Sequence, residues 1–404
     1  MIRRLTLAVV SLAVAAAVLA AALAHAAPVT SAGTAVQAPA RAAQTTALAV
    51  QAASPARAVY LSDGREDVAY DLVITNAFTA PATLDSIKVS SAGRLLLTLS
   101  GNTLAADTRQ LFGATPTVTI PASSAVKTLV DVQLPGSFGR TWPGQLTQQV
   151  QYTLPSDAPD GTVIGSTVVS GPTVPTSPQK PVLIASPVQG SGWIDANGCC
   201  GDPTASHRQT LIAADGSYRT PEIFAIDWIR EVNGRYFTGD GTKLSDYPYY
   251  GTPIHAVANG IVVSAVNDLP QAPLNTTTSK NPTLKNPGDY SGNSVIEEIA
   301  PGVYATYAHM QTGSVTVKAG QRVSAGQVIG LLGDSGNTTF PHLHFGIVDE
   351  PDFLTADSLP FAFRSFTVQG EVTAIGNGTV TVAGTPHQVT LAEPLIGDVI
   401  DFGQ

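Results

Sequence analysis

Short runs of alternating apolar and polar residues dominate the first half of the chain. In the run Gln149–Leu154, the side chains of Val150, Tyr152 and Leu154 share one face, because successive side chains of a strand point to opposite faces. Turn-forming residues separate such runs at spacings that suit antiparallel sheets. This pattern predicts an immunoglobulin-like β-sandwich over residues 57–155.

A second strand-rich region follows, and turns that contain glycine punctuate it. The apolar runs Ser294–Ile299 and Val303–Tyr307 flank Pro301–Gly302, and Ile261–Val263 follows Asn259–Gly260. An Asn-Gly pair beside an apolar run is a strong sequence signal for a β-hairpin. The chain is therefore expected to be all-β.

Changes in composition divide the chain into six segments. They are a signal peptide at residues 1–26, a flexible linker at 27–56, the β-sandwich at 57–155, a Pro-rich connector at 156–189, a second β domain at 190–366 and a β-rich C-terminal tail at 367–404. Proline-rich stretches are semi-extended, so the connector is a natural domain boundary. Within the second domain, residues 268–290 form a polar excursion with four prolines, and a loop of that length is usually functional or mobile.

The N-terminus has the pattern of an export signal. Arg3 and Arg4 precede the apolar run Leu5–Ala24, which ends in the small-residue tripeptide Ala24–Ala26. This pattern predicts cleavage after Ala26 and a secreted or cell-envelope protein with no stable membrane insertion. The alternative is an uncleaved anchor, because the apolar run is just long enough to span a bilayer.

The charge balance excludes one class of partner. The chain has 21 basic and 30 acidic side chains, which give a net charge of −9. Electrostatic binding of nucleic acid requires clustered Lys and Arg to neutralise phosphates. We therefore expect no nucleic-acid partner.

The chain has only two cysteines, the adjacent residues Cys199 and Cys200. Two cysteines cannot form a disulfide framework or a Cys-rich zinc module. A structural role is favoured for the pair, and a redox or additional metal-binding role stays open.

A histidine pair is the strongest chemical signal in the sequence. In Pro341–Gly346, the side chains of His342 and His344 point to one face of a predicted strand, whereas Leu343 and Phe345 point into the core. Two imidazoles side by side on a strand rarely serve packing and are more often part of a metal site. The pattern therefore indicates a metal centre.

Five further motifs precede or adjoin this pair in a fixed order. They are Gly251–Val262, Tyr307–Met310, Val317–Val323, Gly326–Gly330 and Gly333–Gly336. The ordered series resembles the lysostaphin-type (LytM-like) zinc metallopeptidases, which cut peptides in bacterial cell walls. The resemblance spans about residues 190–350 and implies that residues 190–366 form an antiparallel β peptidase domain, with an open groove and zinc at its floor.

The resemblance also implies roles for individual residues. His344 and Asp227 correspond to zinc ligands, and His309 and His342 correspond to catalytic groups beside the metal. Two imidazoles and one carboxylate suit Zn²⁺ and leave a fourth position for water. Because the chain has no His-Glu-x-x-His motif, His309 and His342 are expected to align the water or stabilise the oxyanion.

The third zinc ligand departs from the family pattern. A ligand His is common four residues before the Asp, but this chain has Ile223 at that distance from Asp227. We prefer His207, because an insertion around Ala214–Ser217 can loop out and return, which would leave His207 beside Asp227. His255 on a later strand is the competing candidate.

The favoured function is a secreted zinc metalloendopeptidase that hydrolyses peptide bonds of bacterial peptidoglycan. One alternative is a catalytically weak or inactive relative that binds wall peptides and regulates other hydrolases, and another is a surface adhesion protein with a vestigial peptidase domain. Gly333–Gly336 also resembles the nucleophile turn of serine peptidases, but the chain lacks the His and Asp contexts that such enzymes require. That stretch is therefore predicted to be a simple turn.

Overall fold

The computed structural model describes residues 44–113, 115–135 and 142–403. The predicted signal peptide at residues 1–26, and with it the cleavage site, lies outside the described residues. Strands predominate in the described part of the chain, which confirms the all-β prediction. No helix within these ranges is long and apolar enough to cross a membrane.

The N-terminal half contains ten strands and one helix among the described residues. They are β1 (Leu48–Ala52), β2 (Arg57–Tyr60), β3 (Arg65–Asn76), β4 (Ala82–Ser91), β5 (Arg94–Ser100), α1 (Gly101–Asp107), β6 (Thr108–Gln110), β7 (Thr119–Ile120), β8 (Ser124–Pro135), β9 (Gln145–Thr153) and β10 (Val168–Pro175).

These strands form two five-stranded antiparallel sheets. One has the order β1-β3-β8-β6 with β2 beside β3, and the other has the order β10-β9-β4-β5 with β7 beside β4. The inner faces share one apolar core, in which Val150 and Tyr152 are buried as the alternation in β9 predicts. The immunoglobulin-like character of this sandwich stays a prediction.

The structure differs from the sequence-based boundaries on both sides of the sandwich. Strand β1 lies within the predicted linker 27–56, and it pairs with β3 from Leu48 to Ala52. Strand β10 lies within the predicted connector 156–189, and its pairing with β9 is interrupted between Ser170 and Thr173, around Pro172. Proline has no N–H for a strand ladder, so it is tolerated on an edge strand such as β10.

The remaining strands and helix follow in the C-terminal half. They are β11 (Val182–Ile184), β12 (Trp193–Asp195), α2 (Ser206–Gln209), β13 (Ile212–Ala214), β14 (Ser217–Arg219), β15 (Ile226–Arg230), β16 (Pro253–His255), β17 (Gly260–Val266), β18 (Asn293–Ala300), β19 (Val303–Met310), β20 (Arg322–Val323), β21 (Val328–Leu331), β22 (Leu343–Val348), β23 (Phe361–Gly376), β24 (Thr379–Ala383), β25 (His387–Ala392) and β26 (Asp398–Asp401). Short 3-10 turns occur at Gly161–Val163, Leu244–Asp246, Thr278–Lys280 and Pro287–Asp289.

A twelve-stranded sheet organises this half. Its order is β11-β23-β26-β12-β15-β22-β19-β18-β17-β20, with β24 and β25 also paired to β23. Strands β18 and β19, which contain the two apolar runs that flank Pro301–Gly302, pair with each other as a hairpin. The prediction of a hairpin at Asn259–Gly260 is wrong, because β16 and β17 on either side of this turn do not pair with each other. Strand β16 pairs with β21, and β17 pairs with β18 and β20. Pairing with strands distant in sequence overrides the local turn signal here.

The C-terminal tail is part of the same sheet. Strand β23 runs continuously across the predicted boundary between residues 366 and 367, and it pairs with β11, β25 and β26. Strand β26 in turn pairs with β12, next to the strand that carries Asp227. The tail therefore supports the central strands of the sheet.

Candidate metal centre

Strand register alone brings two of the predicted ligands together. Strands β15 and β22 are antiparallel neighbours, and Asp227 lies directly opposite His344. Side chains directly opposite each other on one face of a sheet have Cβ atoms about 4.5–5.5 Å apart. The Asp227 Oδ1 atom consequently lies 3.1 Å from Nδ1 of His344.

His207 reaches the same point from outside the sheet. It lies on α2, and the β13–β14 hairpin separates it in sequence from Asp227. Its Nε2 atom is 3.3 Å from Oδ2 of Asp227 and 3.2 Å from Nδ1 of His344. The excursion between His207 and Asp227 thus loops out and returns, as the insertion argument predicts.

The hydrogen bond on the far side of the His207 ring defines which nitrogen faces the site. Nδ1 of His207 lies 2.9 Å from the carbonyl oxygen of Ala225. A carbonyl can only accept a hydrogen bond, so Nδ1 carries a proton and Nε2 is the nitrogen directed at Asp227. A backbone carbonyl that orients an imidazole in this way is the usual partner of a metal-ligating His.

The three donor groups fit a small tetrahedral cation. One donor atom from each of His207, Asp227 and His344 lies within 4.8 Å of the other two, and the closest pairs are 3.1–3.3 Å apart. Atoms about 2.0–2.1 Å from a tetrahedral zinc ion are separated by about 3.3 Å. Nitrogen and carboxylate donors are also the types that Zn²⁺ prefers.

His309 and His342 stand beside this group. Their ring centroids are 4.6 Å apart, and Nε2 of His342 is 3.4 Å from Oδ1 of Asp227. Nδ1 of His309 lies 2.8 Å from the Ser335 carbonyl oxygen, and Nδ1 of His342 lies 2.9 Å from that of Phe340. By the same argument as for His207, both rings donate from Nδ1 to these carbonyls and direct Nε2 away from them.

The backbone at His309 is unusual. Its φ of +61° lies in the left-handed region, although it belongs to strand β19. A residue other than glycine adopts this conformation at a cost of about 1–3 kcal/mol, and such strain concentrates at functional sites. The strained backbone therefore supports a functional role for the position.

The site is electrostatically coupled. Burial opposes the charge on Asp227, but the adjacent His207 and His342 outweigh it and hold the pKa of Asp227 well below its usual value. Burial likewise opposes the charge on His207, but Asp227 and Glu222 raise its pKa to about 9. Burial lowers the pKa of His309 and His342, and the neighbouring histidines add to that effect.

These side chains line a groove with a volume of about 510 Å³. The aromatic side chains of Tyr290, Phe340 and Phe353 line it, together with Glu222. From the long excursion 268–290, Thr277, Thr278 and Tyr290 contribute to the wall of this groove.

Asn197 is a site residue that the sequence analysis missed. Its side-chain amide donates to Oδ2 of Asp227 at 3.0 Å and to the hydroxyl of Ser206 at 2.6 Å. It thus ties the strand ligand to the helix that carries His207. The following Cys199 and Cys200 are buried and joined by a disulfide, and no motif in the sequence indicates this arrangement.

The structure places His255 apart from the metal-binding group. It lies on β16, which pairs with β21 outside the large sheet, and its Nδ1 atom hydrogen-bonds to the carbonyl oxygen of Gly326 at 3.0 Å. Among the residues that the structure describes, the group of potential metal ligands consists of His207, Asp227 and His344, and His255 is not a member of it.

The Gly333–Gly336 turn is structural. The hydroxyl of Ser335 donates to the carbonyl oxygen of Met310 at 2.7 Å and accepts a hydrogen bond from the Asn293 backbone at 2.8 Å. Ser335 is fully buried, so its hydroxyl is not presented to a substrate. The turn instead positions the Ser335 carbonyl that orients His309.

Replacing Gly336 with alanine is expected to destabilise the protein. Gly336 has φ +81°, and a Cβ atom would overlap the backbone of Gly292. Gly326 has the same φ but open space around it, so Gly326→Ala is a matched control for the backbone strain, about 1–2 kcal/mol. Thermal unfolding should show a larger fall in Tm for Gly336→Ala, and equal falls would contradict the packing argument.

Comparison with known proteins gives relatives for part of the chain. The peptidoglycan DD-endopeptidase ShyA of Vibrio cholerae serotype O1 is 33% identical over 134 residues, which are 33% of this chain and 26% of that protein. The glycyl-glycine endopeptidase ALE-1 of Staphylococcus capitis is 33% identical over 95 residues, which are 24% of this chain and 21% of that protein. The matched stretch thus spans about a quarter or less of these curated relatives.

Among solved structures, the catalytic domain of the antimicrobial peptidase lysostaphin from Staphylococcus simulans aligns with a TM-score of 0.24. The aligned residues are 20% identical and cover 42% of this chain and 88% of that chain.

Residues 241–354 match peptidase family M23. His309, His342 and His344 lie inside the matched residues, whereas Asp227 and His207 precede them. The place of those two residues in the site therefore depends on the geometry described above. The match to family M23 is confined to residues 241–354, and the resemblance to lysostaphin-type peptidases that the sequence predicted is confirmed.

Proposed function

We propose that this chain is a zinc endopeptidase that hydrolyses peptide bonds of bacterial peptidoglycan. The observation that carries the proposal is the convergence of His207, Asp227 and His344 in a groove that His309 and His342 also line. Two of the relatives, a peptidoglycan DD-endopeptidase and a glycyl-glycine endopeptidase, support a wall peptide as substrate.

Three side chains would hold the metal. His207 through Nε2, His344 through Nδ1 and Asp227 through its carboxylate supply the donor set, and the carbonyl of Ala225 and the amide of Asn197 orient two of them. When bound, zinc would polarise the scissile carbonyl and lower the pKa of a water toward about 7.

His309 and His342 would accept the proton of the attacking water and stabilise the oxyanion that develops on the scissile carbonyl. Each presents an Nε2 lone pair because its Nδ1–H donates to a backbone carbonyl. An imidazole in that state can accept a proton from the attacking water and then stabilise the oxyanion as a donor. The groove wall formed by Tyr290 and Phe340 would hold the extended peptide against these groups.

The non-catalytic alternative depended on the absence of a third ligand. His207 lies 3.3 Å from Asp227, so each of the three ligand positions of the family pattern is matched by a side chain at this site. The enzymatic proposal is therefore favoured over a wall-binding regulator.

Digestion of purified peptidoglycan tests the proposal. We expect the zinc-loaded protein to release new amino termini without new reducing sugar ends, because a peptidase leaves the glycan strands intact. A chelator should abolish the release and added Zn²⁺ should restore it. A protein that holds no zinc, or one that holds zinc and releases no amino groups, would contradict the proposal.

We also propose that the protein is exported, on the support of the charged start, apolar run and small-residue end of residues 1–26. The mature N-terminus should then be Ala27. Sequencing the N-terminus of the exported protein checks this, and an intact N-terminus in the membrane fraction would favour the anchor instead.

A further inference from the structure

The proposed ligand His207 lies on helix α2, which is not part of the twelve-stranded sheet. Helix α2 has only four residues, which is too short to be stable by itself. On the groove side, Asn197 and the Ala225 carbonyl contact Ser206 and His207. These contacts are few for a residue whose nitrogen must be held to within a few tenths of an ångström to bind a metal well.

The other side of α2 is held by the N-terminal sandwich. The guanidinium of Arg208 donates from Nη1 to Oδ1 of Asp71 at 3.1 Å and from Nη2 to Oδ1 of Asp131 at 2.6 Å. Asp71 belongs to β3 and Asp131 to β8, which are paired strands of one sandwich sheet. Lys127, also on β8, donates to the backbone carbonyl of Arg208 at 3.1 Å and lies 3.3 Å from Asp71.

This cluster is enclosed, and each of its cations lies against a carboxylate. The side chains of Arg208, Lys127 and Asp71 are almost completely buried, and that of Asp131 is 14% exposed. Two cations face two carboxylates, so no member is left as an isolated charge. A buried ion-pair cluster is weak evidence for a gain in stability, because desolvation offsets the attraction, but its directional bonds hold one geometry.

Adjacent residues of α2 thus face two different parts of the molecule. His207 belongs to the metal-binding group, and Arg208 forms ion pairs with the sandwich. Because His207 and Arg208 are consecutive residues of one short helix, a shift of Arg208 is expected to move the Nε2 atom of His207.

We propose that the N-terminal sandwich positions the metal ligand His207 by holding Arg208 between Asp71 and Asp131. The sandwich is then a working part of the metal centre rather than a spacer or an adhesion module. This inference rests on the zinc site of the proposed function, and Arg208 acts in it as a positioning residue.

Zinc affinity of the full chain tests the inference without any peptide substrate. Competition with a chromophoric chelator should show weaker binding by about 10- to 100-fold for Arg208→Met, which is the usual cost of losing a partner that orients a ligand. Arg208→Lys retains the charge but lacks the planar fork of guanidinium donors that spans the two carboxylates, so its affinity should be intermediate. The absorption spectrum of the Co²⁺-loaded protein should change in the same order.

Asp131→Asn is the mildest test, since Asp131 is partly exposed and Arg208 keeps its bond to Asp71. It keeps the experiment decisive if Arg208→Met does not fold. The matched control is Arg57→Met, which removes another contact between the sandwich and the peptidase part, the 3.4 Å pair with Asp349, but does not touch α2. We expect Asp131→Asn to weaken zinc binding and Arg57→Met to leave it unchanged.

A double-mutant cycle shows whether the effect passes through His207. In a His207→Ala background, Asp131→Asn should cause no further loss of zinc affinity. An equal loss with and without His207, or an Asp131→Asn protein with wild-type affinity, would overturn the inference while leaving the proposed function intact. Conversely, wild-type protein that binds zinc but cleaves no peptidoglycan would refute the proposed function and not this inference.

Discussion

His207→Ala is expected to abolish peptidoglycan hydrolysis and to remove most of the zinc affinity. His207 supplies one of three donor groups, and its Nε2 atom lies 3.2–3.3 Å from the other two. Loss of the donor itself should exceed the about 10- to 100-fold loss in affinity that follows removal of an orienting partner. The fold should persist, because His207 belongs to a helix of only four residues, and the adjacent Arg208 keeps its ion pairs with Asp71 and Asp131.

His255→Ala is the matched control for this prediction. His255 is also buried, and it bonds a backbone carbonyl through Nδ1, but it lies on β16 away from the groove. Metal analysis and hydrolysis of purified walls should show near wild-type values for His255→Ala. If His255→Ala loses zinc and His207→Ala keeps it, the ligand assignment is wrong, although the match of residues 241–354 to peptidase family M23 stands.

His342→Ala is expected to keep the metal and to lose turnover. His342 lies 3.4 Å from Asp227 but is not a member of the three-residue donor group. Its proposed task is proton transfer or stabilisation of the oxyanion, and removal of a positioned acid–base group costs about 10²- to 10⁴-fold in rate. Zinc content, together with kcat and KM on a synthetic wall peptide, should show a fall in kcat with little change in KM.

His387→Ala is the control for a histidine outside the site. His387 is exposed on β25 in the C-terminal tail, and its replacement should change neither zinc content nor kcat. A His342→Ala protein that lacks zinc would instead make His342 a ligand. A variant with an unchanged rate would leave the proton transfer to His309.

Local periodicity accounts for the part of the site that the sequence predicts well. The two-residue repeat of a strand places Leu343 and Phe345 in the core, and both are fully buried. The same repeat turns His342 and His344 toward the groove. The hairpin around Pro301–Gly302 is similarly local, because its strands are neighbours in sequence and in the sheet.

Local signals failed where distant strands compete for the same partner. The turn at Asn259–Gly260 is a good hairpin signal, yet β16 and β17 pair with β21 and β18 instead. Strand β1 went unrecognised because its surroundings are rich in Ala, Pro, Thr and Ser, and only pairing with β3 selects the strand conformation. Sheet pairing is decided by packing, which a single sequence does not display.

By itself, the sequence determined the all-β class, the resemblance to lysostaphin-type peptidases and the histidines of the catalytic strand, because periodicity and motif order are properties of neighbouring residues. The sequence made His207 the preferred third ligand, but only the tertiary structure showed that this residue, 20 positions before Asp227, lies 3.3 Å from it. The tertiary structure alone also showed that Arg208 meets Asp71, 137 positions away. Contacts at such separations depend on how strands and sheets pack, and no spacing along the chain encodes them.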